Sequence, residues 1–301
     1  MSARSGIRSL AFLCLWALTL ACDRQIPQPA GASSPSVPPR AATAPPGPAD
    51  ERARAGSDPA GPRTAAGVHY VEVLTAGARP ADALPLVIAI HGLGDRPERF
   101  GWLLRDLEVP ARVIVPQGLD PWHDGYAWFP IRVWNPDPKR VAAGIRRAAN
   151  ALVAAIGELQ RRYDAPGKVV VTGFSQGGML SFALAIEHPE LVAAAFPLAG
   201  WLPETMVPTG PPQPGTPRIC AFHGVDDEVL PIAPTRKLVR SMDEHGFEVE
   251  LHEIDRTGHS VSPDIRRRLL SRIATSLRER SKPPTAGAPP ATAPPAGRTG
   301  E

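Results

Sequence analysis

The sequence predicts an α/β domain, with a mostly parallel central sheet, helices on both faces and no large cap domain. Three observations carry this prediction. Short β-branched apolar runs alternate with longer amphipathic stretches between about residues 67 and 281. The run Leu86-Val87-Ile88-Ala89-Ile90 is apolar at every position, as a strand covered on both faces must be. Another run, Val169-Val170-Val171, leads into Gly173-Phe174-Ser175-Gln176-Gly177-Gly178 and then a helical pattern.

Taken in order, residues 69–74 alternate and read as a first strand, and 84–90 read as a second. Residues 96–107 read as a short amphipathic helix with Phe100, Leu103, Leu104 and Leu107 on one side. Residues 112–115 are a buried strand. Residues 138–163 form a long helix, with Val141, Ile145, Ala148, Leu152, Ile156, Leu159 and Tyr163 at helical spacing. A strand at 169–172 precedes the serine, and a helix at 179–186 follows it. Strands are expected at 192–198 and 220–222. A helix at 234–244 is stopped by Gly246. A strand at 248–251 is followed by a last helix at 262–280, with Ser262 as N-cap and Pro263 at its first position.

The ends of the chain have a different composition. Prolines are spread unevenly: 16 of the 37 crowd residues 27–62 and 283–295, with Ala, Gly and Ser between them. Such segments lack the apolar side chains that offset ordering entropy. The expected organisation is therefore a targeting segment at 1–21, a Pro/Ala-rich tether at 22–66, one domain at 67–281 and a tail at 282–301. The net charge is +3 with acids and bases interspersed, and no basic block carries interleaved aromatics, which argues against nucleic-acid binding. Arg266, Arg267, Arg268, Arg272, Arg278 and Arg280 read as the solvated face of the last helix.

Arg4 and Arg8 precede an apolar stretch at 10–20, the length of a secretory signal core and too short for a comfortable membrane span. The sequence Leu18-Thr19-Leu20-Ala21-Cys22 then resembles a bacterial lipoprotein box; an ordinary secretory signal is the competing reading. The resemblance implies lipidation of Cys22 and anchoring to the inner or outer membrane of a bacterial envelope, with the domain in the periplasm or outside. The tether, fully extended, reaches on the order of 130 Å. Of the other two cysteines, Cys14 leaves with the signal, and Cys220 reads as a buried hydrophobe in its strand.

Strand, glycine-flanked serine and helix together form the context of a nucleophile elbow, which places a hydroxyl at the carboxyl end of a strand. A serine hydroxyl is a poor nucleophile at neutral pH and needs a base, which needs an orienting acid. In α/β-hydrolase order both follow the serine. That order sets aside His69, His91 and His123, and His188 falls in the helix after the serine. His223 precedes any plausible acid, His245 ends a helix and His252 lies in a strand. His259 remains, in the loop between the last strand and the last helix. The acid comes from Asp226, Asp227 or Glu228, and the residues alone do not choose among them.

His91-Gly92-Leu93-Gly94-Asp95, the serine motif, His223-Gly224-Val225-Asp226-Asp227 with Val229 and Pro231, and Gly258-His259 together resemble the phospholipase/carboxylesterase family, which includes acyl-protein thioesterases. Tyr126-Ala127-Trp128-Phe129 is similar to a Trp-Phe segment of that family. The resemblance covers residues 67–280 and implies an α/β-hydrolase fold. It also implies hydrolysis of carboxylic esters or thioesters through a Ser175, Asp227, His259 triad. It selects Asp227 and implies oxyanion donors at the N–H groups of Leu93 and Gln176. Trp128 and Phe129 become candidates for the wall of an acyl pocket, with Trp122 and Trp201 behind them. Pro130 stands where the family often has Asp. The segment 201–217 does not read as a lipase lid. No cluster has metal-ligand spacing, so neither metal nor organic cofactor is expected. A polymer or aryl esterase, of the polyhydroxyalkanoate-depolymerase or feruloyl-esterase kind, is the alternative enzyme. A non-catalytic ligand-binding lipoprotein is the alternative outside enzymes.

Overall fold

The computed structural model describes residues 63–130 and 137–280. The signal segment, Cys22, most of the tether and the tail from 281 lie outside the described residues. An eight-stranded sheet organises the chain. Its strands are β1 (Arg63–Ala65), β2 (Val68–Leu74), β3 (Leu86–Ile90), β4 (Arg112–Pro116), β7 (Val169–Phe174), β8 (Val192–Leu198), β9 (Arg218–Gly224) and β10 (Val249–Ile254). Their spatial order is β1-β2-β4-β3-β7-β8-β9-β10. β1 pairs antiparallel with β2 and β2 antiparallel with β4, while the rest are parallel. The remaining two strands, β5 (Asp120–Trp122) and β6 (Gly125–Ala127), form a separate hairpin.

The alternation within β3 explains the two-sided core. Leu86, Ile88 and Ile90 join one hydrophobic cluster; Val87 and Ala89 join the other. The first cluster packs beneath helices α2 (Pro138–Arg162), α3 (Gln176–Glu187) and α4 (Ile232–Glu244). The second packs beneath α1 (Pro97–Phe100) and α5 (Pro263–Arg280). The helix starts follow local chemistry. Asp137 accepts from the N–H groups of Lys139 and Arg140 ahead of α2, whose first residue is Pro138. Ser262 Oγ accepts from Ile265 N–H at the start of α5.

Some boundaries differ from the sequence expectation. The sheet begins four residues before residue 67, because Arg63–Ala65 pairs with the end of β2 that starts at Val68. The helix expected at 96–107 is only the short α1 followed by a 3-10 turn, Gly101–Leu103. Gly101 in its middle lowers helix propensity, although Phe100, Leu103, Leu104 and Leu107 are all buried, as their spacing predicts. The hairpin strands are three residues each, too short to give a period-two pattern.

One polar cluster ties the antiparallel edge to α2. Glu72 on β2 accepts from Arg63 on β1 and from the buried Arg112 on β4. The Arg112 guanidinium also donates to Pro80 O at 2.7 Å and lies 3.9 Å from the centroid of the Tyr163 ring. Removing one partner of a buried pair strands the other charge. Glu72→Ala should therefore cost about 3–5 kcal/mol in denaturant unfolding, and an unchanged midpoint would contradict this account of the edge.

Candidate active site

The site begins with a constrained turn. Ser175 has φ 57° and ψ −114°, a region that side-chain-bearing residues rarely occupy. Two glycines allow it. A Cβ on Gly177 would lie 1.9 Å from Ile90 O, and a Cβ on Gly173 would lie 2.5 Å from Gly177 O. The first turn of α3 thus presses directly on the end of β3, and the chain reverses within one residue. Ser175 N–H donates to Leu198 O at 2.9 Å, which fixes the elbow to β8.

His259 reaches the serine from the loop after β10. Its Nε2 lies 3.0 Å from Ser175 Oγ, and its Nδ1 lies 2.7 Å from Asp227 Oδ2. Its ring packs 4.7 Å from that of Phe174. Asp227 comes from the loop after β9. Oδ1 accepts from Val229 N–H at 3.0 Å and Leu230 N–H at 2.8 Å. The acid and base loops are also joined by Asp226 N–H donating to Thr257 O at 3.0 Å. Burial separates the three acids that the sequence left open: Asp227 is buried, whereas Asp226 and Glu228 are exposed.

A cavity of about 520 Å³ opens at this row, lined by Leu93, Phe174, Met179, Val229 and Leu230 together with Ser175, Gln176 and His259. Leu93 and Gln176 thus share the cavity with the serine. Gln176 opens α3, where the first N–H groups have no intrahelical acceptor.

Trp128 and Phe129 do not line this cavity. Both are fully buried, and their roles are structural. The Gln176 side chain accepts from Trp128 N–H at 2.9 Å and donates to Phe129 O at 2.8 Å. Trp128 Nε1–H donates to His91 O at 3.0 Å. The Trp-Phe segment therefore braces the elbow and the loop at 91–94 from behind. Trp201 lines a different groove, against α4, with Leu202, Val207 and Leu238. Trp122 is exposed on the hairpin.

His91 and the hairpin brace the loop at 91–94, a role that the motifs containing His91 and Tyr126 do not reveal. Gly118 N–H donates to His91 Nε2 at 3.0 Å, so the ring proton sits on Nδ1 and is donated to Gly92 O, 2.7 Å away. The loop is held again where Gly94 N–H donates to Tyr126 O at 2.8 Å and Asp95 bridges to Tyr126. In the sequence His91 stands first in the His-Gly-Leu-Gly-Asp motif and Tyr126 in the Tyr-Ala-Trp-Phe segment, with nothing to mark either as a brace.

Elsewhere, donor atoms of Cys220, Glu250 and His252 lie within 4.8 Å of one another. The Arg272 guanidinium already sits 3.2 Å from Glu250 Oε1 and 3.4 Å from His252 Nε2. Burial, with the neighbouring Glu250 carboxylate, pushes the Cys220 thiol up to about 12. The basic residues of α5 are largely paired nearby: Arg266 with Asp106, and Arg267 and Arg268 with Asp264.

The fold and site define an α/β-hydrolase with a serine, histidine and aspartate in hydrogen-bonded series. The Phospholipase/Carboxylesterase family matches residues 71–277, and the chain belongs to that family as a carboxylesterase/thioesterase-type hydrolase. An acyl-protein thioesterase 1 of Eremothecium gossypii is 26% identical, over 66% of this chain and 91% of that protein. An acyl-protein thioesterase 1 homolog 2 of Dictyostelium discoideum is 25% identical, over 48% of this chain and 70% of that protein. A Bacillus cereus carboxylesterase shares the fold with a TM-score of 0.58 at 15% identity, covering 69% of this chain and 94% of the other.

Burial lowers the pKa of His91, against an opposing pull from the Gly92 carbonyl, and burial likewise lowers that of His223. Both rings stay neutral in the folded state at pH values where the unfolded chain takes up protons. Stability should therefore be complete above the unfolded value of 6.5 and fall as pH drops below it. Unfolding midpoints measured from pH 8 to pH 5 should decline through that window; a flat profile would contradict the neutral, hydrogen-bonded His91.

Proposed function

We propose that Ser175 Oγ attacks the carbonyl carbon of an ester or thioester while His259 Nε2 takes the hydroxyl proton. Asp227 accepts from His259 Nδ1–H, fixes the ring and stabilises the imidazolium. The carbonyl oxygen, now an oxyanion, receives the N–H groups of Leu93 and Gln176, each such donor contributing about 2.7–4 kcal/mol to the transition state. His259 then protonates the leaving alcohol or thiol. Water, activated by the same imidazole, cleaves the acyl-enzyme and restores the serine. The observation that carries this reading is the uninterrupted series from Ser175 Oγ through His259 to Asp227, at 3.0 Å and 2.7 Å.

The substrate assignment is an acyl ester or thioester with a linear acyl part. In support, the cavity has aliphatic and thioether walls from Leu93, Met179, Val229 and Leu230, and the related proteins are described as acyl-protein thioesterases and a carboxylesterase. Aromatic groups that would stack a feruloyl ring are few there, Phe174 being the aromatic residue among the lining.

The finer placement is a lipoprotein of a bacterial envelope. Cys22 carries the acyl anchor, residues 23–62 serve as tether, and the domain works beside a membrane without entering it. The lipoprotein-box sequence and the Pro/Ala-rich segment support this. No helix among the described residues is long and apolar enough to cross a membrane.

Ser175→Ala should lower turnover of p-nitrophenyl acetate by about 10⁴–10⁶-fold with the fold retained; full activity in that variant would remove the assignment. Across acetyl, octanoyl, lysophospholipid and feruloyl esters, the linear acyl esters should lead, and preference for the feruloyl ester would favour the aryl-esterase reading. Cys22→Ser should abolish incorporation of radiolabelled palmitate and move the protein to the soluble fraction. Equal labelling of the variant would refute the anchor.

A further inference from the structure

We propose that His223 is a positioning residue of the triad, whose Nε2–H holds the Asp227 carboxylate in the orientation that serves His259. The inference rests on the triad reading above and extends it to a second imidazole.

Asp227 Oδ2 faces two histidines, His259 Nδ1 at 2.7 Å and His223 Nε2 at 3.3 Å. His223 is fully buried near the end of β9. The same Nε2 lies 2.8 Å from Leu230 O. A carbonyl only accepts, so Nε2 carries the proton. That N–H is donated to Leu230 O, and the same ring edge lies 3.3 Å from Asp227 Oδ2, so the imidazole backs the carboxylate while it ties down the loop at 225–231. The other edge of the ring is fixed too. Nδ1, unprotonated in this tautomer, lies 3.0 Å from Thr235 Oγ1 on α4, whose one hydroxyl proton it shares with Gly200 O, 2.8 Å from the same oxygen. Groups from the acid loop, from α4 and from the turn after β8 thus hold one imidazole, and that imidazole faces the acid.

Packing alone does not require a histidine here. An apolar side chain of similar size would fill the space, but it would leave Leu230 O without its donor and Asp227 Oδ2 without a neighbouring N–H. What a donor adds is occupation of one face of Oδ2, so that the carboxylate has one remaining direction, toward His259. Burial is the largest influence on His223 and pushes its pKa down; Leu230 O and Asp227 pull it up, and His259 pushes it down again. A neutral donor suits the task, since it places no second cation beside the imidazolium that forms at His259. Other charges near the pair are engaged elsewhere or exposed. Glu253, opposite His223 on β10, pairs with Arg236 of α4. Asp95 and Arg99, which line the cavity with His259, pair with each other. Asp226 and Glu228 are exposed.

The test uses the full chain with His223→Leu, His223→Gln and His223→Asn, beside the parent and Ser175→Ala, each checked for folding by denaturant unfolding. kcat and KM on p-nitrophenyl acetate, and kcat/KM against pH, are the readouts. His223→Leu should lower kcat by about 10²-fold, the scale of a small misplacement of a catalytic group, with KM little changed. The acid limb of kcat/KM should move to lower pH, because a carboxylate no longer aimed at His259 gives up the attraction that favours its charged form. Gln places an amide N–H near the Nε2 position and should recover much of both effects; Asn reaches only the Nδ1 side and should not. A folded His223→Leu with parental kcat, or with reduced kcat and an unmoved or raised acid limb, would overturn the inference. If the Leu variant does not fold, Gln and Asn decide, and equal behaviour of the two would overturn it. An inactive Ser175→Ala beside an indifferent His223→Leu strikes only this inference, whereas an active Ser175→Ala removes the triad reading and the inference with it.

Discussion

The site depends on one close approach: the first turn of α3 lies against the carbonyl of Ile90 at the end of β3, where Gly177 leaves no room for even a methyl group. With the helix held there, the residue joining β7 to α3 must turn through positive φ, and that residue is Ser175. A backbone in such a region costs of order 1–3 kcal/mol. The surrounding core offsets it. β7 lies between β3 and β8 in the interior of the sheet, and α3 is buried along nearly its whole length. The strain therefore sits where the chain has least freedom to relax, and the hydroxyl is carried out into the cavity.

The same approach sets the opposite wall. α3 begins beside the end of β3, and Gln176 at its start and Leu93 on the loop that leaves β3 line the same cavity. The loop is braced by a neutral His91, by Trp128 and by the β5–β6 hairpin, while the Gln176 side chain ties the Trp-Phe segment to the elbow. Donors for an oxyanion act best when they need no reorganisation, and this bracing is what the proposed oxyanion site at Leu93 and Gln176 requires. The acid and base arrive differently, on loops after two adjacent parallel strands, β9 and β10, whose register places both strand ends at the same edge of the sheet.

Much of this was legible in the residues, and the rest was not for identifiable reasons. β3, β4 and β7 are continuous apolar runs because both their faces are covered. The elbow was legible because its glycines answer to a close approach. His259 followed from chain order and from its place in a loop. Asp227 did not follow from the residues alone: three carboxylates stand side by side, and only the fold buries the middle one. Trp128 and Phe129 drew attention as pocket walls because large aromatics beside a site look the same in sequence whether they face the cavity or support it. Here they lie behind it. The hairpin escaped because a three-residue strand has no period, and His91 stood in a motif that does not say which atoms its ring bonds.

In the proposed mechanism the strained serine at the elbow, and no other hydroxyl, is the nucleophile that the His259–Asp227 pair activates. Peptide-resolved mass spectrometry after treatment with a fluorophosphonate tests it most directly. A single adduct should form on the peptide bearing Ser175, and far more slowly when His259 is replaced by Ala. An adduct on a different serine, or labelling of Ser175 at an unchanged rate without His259, would contradict it.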